Sequence, residues 1–206
     1  QVLPRVAFSG LISNGDKSTV MMGTGVDPDR EFAVKGPFLT MLAGQVLASE
    51  AQEAEVMLGD SLARRLEPPL GSSVTLRAPT AEGALNALDL RVKGVFSSGV
   101  PDIDKRAVYT DLATAQRLLA SQRVSTLGVY LARMEHTEPA RQRIAAANPA
   151  LRVQTWQDQA FYYAAVRGLY NRIFGALGLI IAVIVVFVVT NAMAIAVIER
   201  TREIGT

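Results

Sequence analysis

Apolar and polar residues alternate over several short stretches in the first three quarters of the chain. Arg5-Val6-Ala7-Phe8-Ser9-Gly10-Leu11 alternates weakly, and Ser18 to Val26 forms a second β-type run. Asn14-Gly15-Asp16 lies between them and carries a hairpin turn signal, so two antiparallel strands are predicted. Val74-Thr75-Leu76-Arg77 and Leu88 to Phe96 alternate in the same way and predict a second hairpin around the loop Ala78 to Ala84. Further strands are predicted at Glu55 to Leu58, Ala107 to Thr110, Leu127 to Leu131 and Leu151 to Trp156. Helical spacing appears in four places. A short piece covers Pro37 to Leu42 and ends at Gly44. Asp60 caps a helix to Leu66, which Pro68-Pro69 stops. Asp111 caps one to about Ser121, with Leu112, Ala115, Leu118 and Leu119 inward, and Glu138 to Ala147 tolerates Pro139 in its first turn. Val26 to Arg30 reads as a turn, and Ser97 to Asp104 as a loop.

The pattern changes near the end. Thr155-Trp156-Gln157-Asp158 has the form of a capping box, and Phe161, Tyr162, Ala165, Val166, Leu169 and Ile173 then recur at helical spacing. From Ile173 to Ile198 no side chain is charged, and no proline interrupts Gln157 to Ile198. A helix over the uncharged run is about 39 Å long, more than the ~30 Å of bilayer hydrocarbon. One rod is therefore predicted, an extramembrane stalk at 157–172 continuing into a membrane helix at 173–198. The competing reading is a buried core or dimer-interface helix, which rarely carries Val and Ile on every face. Tyr162, Tyr163 and Tyr170 stand near the upper boundary, where amphipathic rings prefer to sit. Charge leaves the orientation open, since Arg167 and Arg172 flank one end and Arg200 and Arg202 the other.

Composition adds limits. A chain of 206 residues holds one or two domains, and the long apolar run explains much of the 50% hydrophobic content. A net charge of +2 offers no basic surface for nucleic acid, and the absence of cysteine excludes disulfides and thiolate metal sites. The chain begins at Gln1 without Met and stops just past the apolar helix, as a segment of a longer protein would.

Candidate chemistry is sparse. Gly23 and Gly25 lack the rest of a phosphate loop and read as small residues on a sheet face. Asp102 and Asp104 supply too few oxygens for calcium and read as a turn. His136, the only histidine, lies in a charged loop with no nucleophile elbow in the chain, and reads as solvated surface. Trp156 is expected to be a packed anchor where strand becomes helix. Within the apolar run, Gly178 with Ala182 and Ala192 with Ala196 are small pairs four apart that permit close helix approach, and Asn191 could bond across helices.

Glu199-Arg200-Thr201-Arg202-Glu203-Ile204-Gly205 is the most specific string in the chain. Alone it reads as a solvated helix end with Glu199 and Glu203 four apart around two arginines. Following an apolar helix, it resembles the end of the second membrane helix of the FtsX-domain permeases, the MacB-like group of ABC transporter subunits. Gly25-Val26-Asp27-Pro28-Asp29-Arg30-Glu31, Val56 to Ala63, Gly71 to Leu76, Val92 to Phe96, Asp102-Ile103-Asp104, Ala115 to Leu119 and Thr155-Trp156-Gln157 are similar, in order, to that group's extracytoplasmic domain. Pro68-Pro69 and Ser72-Ser73 depart from the family pattern, and that loop receives no role.

The resemblance implies an α+β fold. A bipartite periplasmic core domain would span residues 1–156, an α/β part with a β-rich insert at about 45–110. Residues 199–206 would begin an ATPase-coupling segment in the cytoplasm. Glu199, Arg200, Arg202, Glu203 and Gly205 would meet the ATPase. The chain itself would be no enzyme and hold no cofactor, with ATP and Mg on a separate ABC ATPase subunit or domain. A second permease chain, membrane lipid and an outer-membrane or periplasmic adaptor are the other implied partners, in a bacterial inner membrane. Export of a periplasmic or membrane substrate is the implied function. Lipoprotein extraction and a signalling or scaffold permease are the alternatives.

Overall fold

The computed structural model describes residues 1–49, 53–159 and 161–204, with side chains for all of these except 159, 161–165, 167 and 195–204. The chain divides into two compact units, Gln1–Ala132 and Arg133–Thr206. Strands and helices both contribute substantially, as the α+β reading requires.

Among the described residues, the first unit contains every strand. In chain order these are β1 (Val2–Ser13), β2 (Ser18–Val26), β3 (Thr40–Gly44), β4 (Glu55–Gly59), β5 (Ser73–Pro79), β6 (Leu85–Ser97), β7 (Ala107–Asp111) and β8 (Thr126–Val129). Its helices are α1 (Pro28–Lys35), α2 (Asp60–Leu66), α3 (Pro101–Asp104) and α4 (Leu112–Leu118). Neighbours run β2-β7-β4-β6-β5-β1, and β1 also pairs with β2, so six strands close into a ring. Closure removes most of the free edge that an open sheet would expose. β8 joins the outer part of β1, and β3 joins the end of β6. The pairs β2–β7 and β4–β6 are parallel and the rest antiparallel.

Alternation within the strands explains the core. Val6, Phe8 and Ile12 of β1, Met21 of β2, Val74, Leu76 and Ala78 of β5, Leu90 and Val92 of β6 and Val108 of β7 form one buried cluster. Leu62 and Leu66 of α2 and Ala115 and Leu118 of α4 complete it. β4 is buried on both faces, which accounts for its unbroken apolar run. Val56 and Leu58 join the main core, while Met57 joins Phe96 and Leu47 in a second cluster against Phe32 and Tyr109.

Both predicted hairpins form, the first turning at Gly15 with φ of 101°. Asp111 caps α4 as expected, its carboxylate accepting from the Thr114 amide at 2.8 Å. Five local readings need correction. Ser97 to Asp104 is not all loop, since Pro101–Asp104 forms the short helix α3 with Pro101 in its first turn. Val26 to Arg30 opens α1: Asp27 is the N-cap, accepting from the Arg30 amide, and Pro28 begins the helix. Residues 37–42 are a single 3-10 turn at Gly36–Phe38 followed by edge strand β3, because β6 offers backbone partners there. The cap of α2 is Gly59 rather than Asp60, whose carboxylate instead accepts from Arg64 at 2.9 Å. Glycine is required at that corner, since a Cβ on Gly59 would lie 2.4 Å from the Asp104 carbonyl oxygen. Residues 151–155 are not a strand, because no described segment pairs with them.

The second unit is helical: α5 (Thr137–Ala147), α6 (Trp156–Gln159) and α7 (Phe161–Ile204). The capping box forms at the start of α6. The Thr155 amide donates to Asp158 at 2.7 Å, and the Asp158 amide donates back to the Thr155 hydroxyl at 3.4 Å.

Candidate functional site

Two features stand out, a long helix whose apolar residues are exposed in this chain and a charged centre where α1 meets β1. α7 is one unbroken helix of 44 residues, about 66 Å long. The most apolar 18-residue window within Gly168–Ala194 has a mean hydropathy of 3.0, and none of it is buried within the chain. The helix is long and apolar enough to cross a membrane, which favours the membrane reading over a buried core helix. Near one end the Tyr170 and Phe174 rings stack with centroids 6.1 Å apart.

Gly178, Ala182, Asn191 and Ala192 are all exposed on α7. Helical geometry puts Gly178, Ala182, Ala192 and Ala196 along one stripe. Asn191 falls about 140° around the axis from Gly178, so it does not share that face. The backbone of α7 carries Glu199, Arg200, Arg202 and Glu203 as a continuous helical extension. Their side chains, the Ala196 methyl and the whole of Gly205 lie outside the described residues.

The charged centre was not anticipated. Glu31 of α1 has a side chain only 1% exposed, and Arg5 Nη2 and Lys35 Nζ lie 2.8 and 2.9 Å from its Oε1. Neither forms an aligned hydrogen bond to Oε1, so attraction there is chiefly coulombic. Arg5 Nε donates to Oε2 at 3.0 Å, and the same Nη2 that faces Oε1 donates to the Tyr130 hydroxyl. Arg5 also stands over the Tyr130 ring at 5.6 Å, and Lys35 over the Tyr109 ring at 5.6 Å. Burial alone would lower the Arg5 pKa, but hydrogen bonds to Glu31 and Tyr130 outweigh it and the pKa is raised. The signal was present in the sequence. Asp27-Pro28 opens a helix, and Glu31 and Lys35 are one turn apart on it.

Other candidates resolve into structure. Asp104 is buried and accepts from the Ser97 and Ser98 hydroxyls at 3.0 and 2.7 Å and from the Ser98 amide at 3.0 Å. Asp102 instead pairs with Lys105 on the surface, so the two aspartates do not converge. No cluster of three or more ligating side chains occurs among the described residues. His136 is exposed in the 3-10 turn Met134–His136. Trp156 is 46% exposed and not the packed anchor expected, because the strand that was to hold it is absent. Gly23 and Gly25 are sites of close packing: a Cβ would lie 2.2 Å from the Phe8 ring at the first and 2.2 Å from the Ala115 Cβ at the second.

A sheet domain followed in one chain by a helix long and apolar enough to cross a membrane fits a membrane protein. The family model of the MacB-like periplasmic core domain matches residues 1–147, and the chain belongs to that family. The family places it among ABC transporter permeases, which work with an ATPase. A solved structure described as the extracellular domain of the noncanonic ABC-type transporter YknZ from Gram-positive bacteria matches at TM-score 0.55 and 15% identity, covering 74% of this chain and 78% of that one. A domain described as belonging to a permease protein of Porphyromonas gingivalis matches at TM-score 0.42 and 14% identity, over 75% of this chain and 65% of that one. The first likeness is one of fold. Curated protein sequences give no match.

Proposed function

We propose that this chain is the periplasmic core domain and second membrane helix of a MacB-type ABC transporter permease, a non-catalytic subunit that carries ATP-driven motion across the inner membrane. ATP and Mg would act on a separate ABC ATPase. Motion would reach the chain near Glu199, Arg200, Arg202, Glu203 and Gly205 and travel along α7. A second permease chain and a periplasmic or outer-membrane adaptor complete the proposed assembly, which exports a periplasmic or membrane substrate. One observation carries the reading: a MacB-like domain runs, within the same chain, into an unbroken exposed apolar helix that ends in the charged string. An uninterrupted helix is stiff enough to transmit displacement along its own axis.

The test is made on the full-length protein in its membrane. Arg200→Glu with Arg202→Glu should lower the ATPase recovered by co-purification by about tenfold or more, as charge reversal at a paired interface does. Transport should fall in parallel, with membrane insertion unchanged. Undiminished ATPase recovery and transport would overturn the coupling role.

A further inference from the structure

We propose that Arg5 is a positioning residue that couples the strand by which the chain leaves the sheet domain to helix α1, so that displacement of Tyr130 moves α1 and the apolar edge beyond it. The inference rests on the reading that ATP-driven motion arrives from α7.

The outgoing strand has few attachments. β8 pairs, among the described residues, only with Val2 to Arg5 of β1. One step further, the Tyr130 amide donates to the Gln1 carbonyl at 2.8 Å. The incoming and outgoing segments of the domain are thus zipped together at one place, and a pull on the chain past Tyr130 is felt there first. Arg5 stands at the last rung of that ladder and reaches outward in two directions. Nη2 donates to the Tyr130 hydroxyl and also lies against Glu31 Oε1, while Nε donates to Glu31 Oε2 on α1. Packing at this point is close, since a Cβ on Gly128 would lie 3.3 Å from the Tyr130 ring and 3.5 Å from Arg5 Cζ.

Beyond Glu31 the connection continues through α1. Phe32 packs edge-on against Tyr109 at 6.0 Å, and Tyr109 packs on Phe96 at 5.3 Å. α1 then runs directly into the Gly36–Phe38 turn and edge strand β3, where Phe38 is 78% exposed and Leu42 50% exposed. A buried carboxylate between two cations is a poor way to add stability, because apolar side chains of similar volume do as well. A planar guanidinium fork, in contrast, fixes direction as well as distance. Direction is what a coupling element needs, and spatial connection becomes coupling only when changing one site alters the response at the other.

The experiment places an environment-sensitive fluorophore on Phe38→Cys in the full-length permease, reconstituted in nanodiscs with its co-purifying ATPase. This chain contributes no other cysteine. With Arg5 intact, ATP and Mg should change the emission. Arg5→Met should shrink that change by roughly fivefold or more while ATP turnover is unaffected, and Arg5→Lys, which keeps the charge and loses the fork, should fall between. If Arg5→Met does not fold because buried Glu31 keeps only Lys35 as a partner, the double variant Arg5→Met/Glu31→Met removes the buried carboxylate and should show the same loss. Folded variants that respond as strongly as the parent overturn the coupling alone. A parent that shows no ATP-dependent change overturns the reading that ATP moves this domain, and the coupling with it.

Discussion

The sheet domain and α7 are built from the same aliphatic residues, yet they dispose of them in opposite ways. In the sheet domain Leu90 and Val92 are each 1% exposed and Leu58 is fully buried, whereas on α7 Val186 is 64% and Phe187 71% exposed. Period-two alternation tells each strand which side to turn inward, and six strands closing on themselves supply the surroundings. α7 has no such period: its apolar residues are exposed all round the helix, as a membrane span allows. Apolar content alone does not separate a core from a membrane span. The presence or absence of a polar face does.

The contrast predicts opposite responses to one kind of truncation. Leu58→Ala removes a side chain surrounded on all sides and should cost about 2–5 kcal/mol. Ile181, 53% exposed in the middle of α7, faces lipid or a neighbouring helix, and Ile181→Ala should leave the melting temperature of the full-length protein in nanodiscs almost unchanged. Differential scanning fluorimetry reads both variants. A large loss at Ile181 would mean that α7 is packed inside protein there.

Glycine sharpens the same comparison. A Cβ at Gly25 would meet the Ala115 Cβ at 2.2 Å, so Gly25→Ala should push α4 outward and cost about 1–3 kcal/mol. Apart from the neighbouring turns of α7 itself, nothing among the described residues lies within 4 Å of a Cβ at Gly178. Gly178→Ala should therefore leave the fold intact and act only through another helix, if one packs on that stripe. Site-directed crosslinking from Gly178→Cys, compared with Val186→Cys, would show which face another helix meets.

Much of this division was legible beforehand, and the misses share a cause. Asn14-Gly15, the alternation of Leu88 to Phe96 and the uncharged run after Arg172 are local signals, and the elements they predict are present. β3 and residues 151–155 were misassigned because a strand is defined by a partner, and local spacing says nothing about partners. The edge of β6 makes Thr40 to Gly44 a strand, while the alternating Leu151 to Thr155 finds no ladder. The Arg5–Glu31–Tyr130 centre was hidden for the same reason. Arg5 and Tyr130 are 125 residues apart and meet only because β8 pairs with β1. The charged string after Ile198 was visible from the start, since its specificity lies in consecutive residues.

The smallest expected effects concern the two helix caps, which differ as their units do. Asp111 caps α4, which is packed into the core through Ala115 and Leu118, so losing the cap is felt by the whole domain. Asp111→Ala should cost about 1 kcal/mol of global stability. Asp158 caps α6 at the surface. Hydrogen bonds from the Thr155 amide and hydroxyl, with a smaller contribution from Arg141 and Arg152, hold its pKa below the ordinary aspartate value. Because the folded-state pKa is lowered, the cap is fully effective above the ordinary aspartate pKa, about 3.9, and is lost as pH falls through the depressed value. Fluorescence of Trp156, this chain's single tryptophan, should therefore hold steady from neutral pH down to about pH 4 and change below it. Asp158→Ala should show the acid signal already at neutral pH, with faster amide exchange confined to α6 and no shift in the melting temperature. A global shift from Asp158→Ala would mean that α6 is tied into a cooperative unit as firmly as α4 is.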